Sequence, residues 1–74
     1  MTGLRGYSAE VVELTPRMRA VLLSAAAGRT AGETALELHV SEATVRSIRA
    51  AACSRLGASN VVAAVATALR AGEL

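Results

Sequence analysis

Four times along this chain a side chain suited to capping a helix stands directly before a run of helix-forming residues: Thr15 before Pro16, Thr30 before Ala31, Ser41 before Glu42 and Asn60 before Val61. Each of these side-chain oxygens can accept a hydrogen bond from a backbone N–H of the first helical turn, where the donors have no partner within the helix. Local chemistry reinforces three of the four starts. Pro16 occupies the first helical position, where its missing N–H costs nothing. Glu33, three residues after Thr30, can complete a capping box. Glu42 places negative charge at the positive end of its helix dipole. Gly28, Gly57 and Gly72 supply stops. The punctuation predicts four helices: Pro16 to about Ala27, Ala31 to about His39, Glu42 to Leu56, and a last one capped by Asn60 and running to about Ala71. The expected fold class is all-α, with residues 1–13 as an N-terminal lead-in and 14–74 as the folded domain. Within the lead-in, Gly3 and Gly6 loosen the chain, and Ser8 can cap a short turn carrying Val11 and Val12.

The apolar pattern agrees with this division. Met18, Val21, Leu22 and Ala25 recur at helical spacing in the first helix, and Ala35 and Leu38 face inward from the second. In the third, Val45, Ile48, Ala52 and Leu56 fall within about 80° on a helical wheel and form a single stripe. The last helix carries two adjacent apolar stripes, Val61, Ala64, Val65 and Ala68 on one side and Val62, Ala66 and Leu69 on the other. One stripe buries a helix against its own domain, and a second calls for a partner. Three occupants suit it, in this order: a second copy of the chain, another protein, or the N-terminal lead-in. Tyr7 is the sole aromatic among 74 residues, so the core must come from close approach of alanine-, valine- and leucine-faced helices.

Several function classes are disfavoured. His39 and Cys53 are the only histidine and cysteine, fall on different helices and have no third group to orient them, so no nucleophile–base pair can be assembled and no enzyme is expected. A lone Cys53 forms no internal disulfide and has no partners for a metal site, and no cofactor or small-molecule ligand is expected. Met1 to Gly6 lacks the apolar stretch of a signal peptide, and the apolar run from Val61 to Ala68 is far short of the ~20 residues that cross a bilayer. The reading is therefore a cytoplasmic, nucleoid-associated chain without membrane contact. Its net charge of +2 is too small to identify a partner, so the placement of the arginines must decide.

That placement centres on the second and third helices and the tight His39-Val40-Ser41 connection between them. A DNA-binding helix-turn-helix needs a small residue at the helix crossing and apolar residues lining it from both sides. Ala35 is the small one, followed by Leu38, Val40, Val45 and Ile48 at three, five, ten and thirteen positions further on. The outward side of the third helix then presents Glu42, Ala43, Arg46, Ser47 and Ala50, with Arg49 on its margin. A helix of this kind fits the ~12 Å major groove with its N-terminal side chains toward base edges. Arg46 can grip a guanine with two donors, or pair with Glu42 one turn back. Arg49 can meet a phosphate or lie along the protein surface with only its head in water. Thr30, Ser41, Thr44, Ser59 and Asn60 can donate to phosphates or serve as caps alone, the latter favoured for Ser59; Arg17 and Arg29 can meet phosphates or remain ordinary surface charges.

Residues 14 to about 70 resemble the LuxR/GerE-type (NarL-type) DNA-binding domain. The likeness is carried by Leu14-Thr15-Pro16-Arg17, Val21-Leu22, Ala27-Gly28, Thr30, Glu33, Ala35, Leu38, the segment from Val40 to Arg46, and Leu56-Gly57 followed by Asn60. It implies a four-helix domain whose recognition helix is Glu42–Leu56, with Thr30, Ser41, Glu42, Thr44, Arg46, Ser47, Arg49 and Asn60 as candidate contacts to double-stranded DNA. It also implies a homodimer through the last helix, with Val62, Ala66, Leu69 and Arg70 at the seam. The chain departs from the family at several places. Met18 and Ala20 stand where acidic residues are usual, and Val61 where an arginine is usual, so a charge contact between the first and last helices is expected to be replaced by apolar packing. Ile48 replaces a common histidine, Arg49 an apolar residue and Ala50 a basic one, which alters the base-reading set.

The function expected is a stand-alone transcriptional regulator of a bacterium or phage, with no sensing domain in its thirteen-residue lead-in. The competing reading is a protein-interaction module that docks on RNA polymerase or another regulator. The LTPR opening and the helix-turn-helix also look similar to sigma-factor region 4, which such a fragment would mimic.

Overall fold

A computed structural model describes residues 13–74 and contains α1 (Pro16–Ala26), α2 (Ala31–Leu38), α3 (Glu42–Leu56) and α4 (Val61–Arg70). The anticipated turn at Ser8, Val11 and Val12 lies outside the described residues. Every expected helix is present within a residue of its anticipated ends, and no strand occurs among the described residues.

All four starts are capped as the side chains dictate. Thr15 Oγ1 accepts from Met18 N at 3.1 Å, Ser41 Oγ from Thr44 N at 3.0 Å and Asn60 Oδ1 from Ala63 N at 2.8 Å. The capping box is complete: Thr30 Oγ1 accepts from Glu33 N at 3.1 Å while Thr30 N donates to Glu33 Oε1 at 2.8 Å.

The four ends share one geometry, in which a residue in the left-handed region is followed by one whose N–H reaches back to an earlier carbonyl: Arg29 to Ser24, Val40 to Ala35, Ala58 to Cys53 and Glu73 to Ala68. Glycine holds the left-handed position at 28, 57 and 72, but α2 uses His39, with φ 59° and ψ 44°. His39 is thus not the last helical residue but the first one past it. The connection leaves room for only Val40 before Ser41 caps the next helix.

Two core clusters share α1 and α3. Leu14, Met18, Leu22, Ala52, Leu56, Ala64 and Ala68 pack α1, α3 and α4 together, while Val21, Ala35 and Val45 pack α1, α2 and α3. Half-buried Ile48 touches both clusters, so α3 is held from two sides along its inner stripe. Ala64 and Ala68 are fully buried, and their small side chains let α4 approach closely without large aromatic filling. Buried Met18 and half-buried Val61 both belong to the α1–α3–α4 cluster.

The core also holds two polar groups that apolar periodicity passes over. Ser24, rather than half-buried Ala25, occupies the interior at the end of α1, and its hydroxyl meets that of Thr34 at 2.7 Å. Ser24 Oγ also donates to Glu37 Oε1 at 2.9 Å, so the α1–α2 contact is closed by a short polar chain.

Candidate nucleic-acid interface

The inner stripe of α3 fixes which of its residues face outward. With Val45, Ala52 and Leu56 buried, the helical period leaves Ala43, Arg46, Ser47, Ala50 and Ser54 exposed. The expected outward set is therefore open to solvent along the exposed side of α3. Its ridge is made of small side chains, and Arg46 is the one long side chain near its N-terminal half.

Charge on this face is partly self-compensated. Arg46 Nη2 donates to Glu42 Oε2 one turn earlier, and the two side chains remain 66% and 47% exposed. Of the two anticipated options for Arg46, the pair with Glu42 is the one present in the structure. Arg49 lies apart from that pair. It is half-buried, its Nη2 reaches the carbonyl oxygen of Arg29 at 3.3 Å, and its buried Nε has no hydrogen-bond partner among the described residues. The aliphatic stem therefore packs on the domain margin while the head bridges to the turn before α2.

The remaining candidates separate into groups. Ser41 and Thr44 are joined, with their hydroxyl oxygens 2.8 Å apart. Thr30 and Glu42 both lie near Gly32: a Cβ placed on Gly32 would stand 3.8 Å from Thr30 Oγ1 and 3.4 Å from Glu42 Oε1. Asn60 caps α4 and belongs to that helix, not to the start of α3. On α4, Val62 is 76% and Leu69 56% exposed, Ala66 is half-buried, and exposed Arg70 donates to Thr67 Oγ1 at 3.3 Å.

A shallow groove of about 370 Å³ runs beside the outward face, between Thr15, Arg17 and Met18 at the start of α1 and Ala43, Thr44, Ser47, Ile48 and Ala51 of α3. Arg17 stands exposed on its wall. Among the described residues, Arg17, Arg49, Arg55 and Arg70 form no ion pair, whereas Arg19 pairs with Glu73, Arg29 with Glu37 and Arg46 with Glu42. The position of Arg17 was open on sequence grounds, because only the packing of α1 across α3 brings it beside Ser47. No trio of metal-ligating side chains gathers among the described residues, and none of the described helices is long and apolar enough to cross a membrane. Cys53 is a free thiol packed half-buried against the core.

The family model of bacterial regulatory proteins of the luxR family matches residues 12–68. No curated protein matches the sequence. The chain belongs to the luxR family of bacterial regulatory proteins and carries its helix-turn-helix domain, the domain of DNA-binding regulators.

Proposed function

From that membership and the exposed face of α3, we propose that this chain is a transcriptional regulator that inserts α3 into the major groove of duplex DNA and acts as a homodimer through α4. The carrying observation is the fit between the clamped inner stripe and the free outer one. Val45, Ala52 and Leu56 are buried on the inner side of the domain, while Arg46, Ser47 and Ala50 are exposed, with Arg46 paired only to Glu42 of the same helix. In this reading Arg46 contacts a base edge, with Glu42 and Ser47 beside it at the groove floor. Arg17 and Arg49, on the two flanks of α3 and without carboxylate partners among the described residues, meet phosphates, as do the hydroxyls of Thr30, Ser41 and Thr44 and the amide of Asn60.

The stripe of exposed Val62 and Leu69 with half-buried Ala66 between them, and Arg70 at its edge, supports the dimer. A module with net charge +2 binds one site weakly, and two linked copies on half-sites about 10 base pairs apart supply the remaining affinity. The protein works in the cytoplasm, on the nucleoid.

One observation favours a second reading, in which the domain docks on RNA polymerase or another regulator. Glu42 cancels the charge of Arg46, and Ala50 adds none, so the groove-facing side carries little net positive charge. A salt titration of duplex binding decides between them. DNA binding requires log K to fall linearly with log salt concentration, at a slope set by the phosphates neutralised. A protein docker shows negligible duplex affinity at every salt concentration.

A further inference from the structure

We infer that Glu42 is a specificity-determining residue that acts through Arg46, confining that arginine to one guanine-bearing base pair at the expense of overall affinity. The inference rests on α3 binding duplex DNA as proposed above.

The pair adds little to folding. Both side chains are about half exposed or more, and exposed ion pairs one turn apart contribute only a few tenths of a kcal/mol. One carboxylate oxygen of Glu42 takes the Arg46 guanidinium, and the other lies 3.4 Å from where a Cβ on Gly32 would be, against the first turn of α2. The missing side chain at Gly32 leaves the room, and the N-terminal end of α2 favours an anion there. Glu42 thus has open space beside the first turn of α2 while it pairs with Arg46 on the outward side.

Restraint of Arg46 has consequences because its neighbours read so little. Ala43, Ser47 and Ala50 are short, and Arg49 is turned toward the Arg29 carbonyl. An unrestrained arginine in a groove lined by phosphates has many acceptors within reach of a long, flexible stem. A carboxylate at its side removes those poses by repelling the phosphates, and engages one of the five guanidinium N–H donors. The free donors can still form the two-point contact to guanine O6 and N7. The same carboxylate weakens attraction to every duplex, whatever its sequence.

The test measures binding of the full chain, its Glu42→Ala, Glu42→Gln and Arg46→Ala variants, and the Glu42→Ala/Arg46→Ala double variant. The duplexes differ only at the base pair where Arg46→Ala relaxes preference, and circular dichroism verifies helix content. Glu42→Ala is expected to bind unrelated duplexes several-fold more tightly while the ratio between best and worst base pair falls about tenfold. Glu42→Gln, which still accepts from Arg46 but no longer repels phosphates, falls between the unmodified chain and Glu42→Ala in that ratio. The double variant matches Arg46→Ala alone in preference at that pair. An unchanged ratio in Glu42→Ala overturns the inference, as does relaxation at a base pair different from the one Arg46 reads, which would make Glu42 a reader in its own right. Absence of duplex binding by the unmodified chain overturns the DNA-binding reading itself, and the inference with it.

Discussion

The outer faces of α3 and α4 differ in kind although the two helices are consecutive and share a core cluster. Each buries an alanine-containing stripe, with Ala52 and Leu56 from α3 and Ala64 and Ala68 from α4. Outward, α3 shows Ala43, Arg46, Ser47 and Ala50, a low ridge edged by charge, while α4 shows Val62 and Leu69, large apolar side chains left in water. The α3 face suits a hydrated, charged groove and gains little from apolar contact. The α4 face gains from losing water and suits a protein surface. Under the proposed function, one chain of 74 residues would separate recognition of DNA from self-association by giving each a helix side.

Substitutions can break this contrast, beginning with the largest effect. Ala64→Glu forces a carboxylate into the fully buried side of α4 and is expected to cost about 3 kcal/mol or more, enough to unfold a domain this small in a denaturant titration. The same charge two positions on should be harmless to folding. Ala66→Glu on the outer side is expected to leave the helix content intact and convert a dimer to a monomer in sedimentation, with loss of about a hundredfold or more in affinity for a two-half-site duplex. A dimer that survives it puts the seam elsewhere.

On the α3 side, Arg46→Ala is expected to leave association unchanged and to cost about 1–3 kcal/mol of binding to the preferred duplex, with preference relaxed at one position. Uniform loss across unrelated duplexes would make Arg46 a phosphate contact. The smallest effect concerns the turn that aims α3. His39 holds a left-handed backbone that glycine holds at the ends of the other three helices. His39→Gly is expected to raise stability by about 0.5–1 kcal/mol in thermal unfolding, without changing duplex preference.

The helices were legible because their boundaries rest on contacts within a single turn. Thr15, Thr30, Ser41 and Asn60 each bond an N–H no more than three residues away, and such spacing is visible in a linear chain. The Glu42–Arg46 pair was visible for the same reason. Contacts that depend on how helices cross were not. Ser24 meets Thr34 only because α1 and α2 approach there, and Arg19 reaches Glu73 across 54 positions of sequence. Arg49 spans 20 positions to the Arg29 carbonyl, and Arg17 reaches the α3 groove only through the packing of α1. The sequence places His39 at the end of the second helix, whereas the structure uses its backbone in the left-handed turn that follows, a role usually filled by glycine.

Backbone amide resonances of the labelled protein, followed while a duplex carrying one half-site is added, show whether α3 is the helix that meets DNA. Insertion of α3 into the groove is expected to shift Ala43, Arg46, Ser47 and Ala50 and to leave Val62 and Leu69 of α4 undisturbed. Shifts confined to α4, or none anywhere under low-salt conditions, would contradict it.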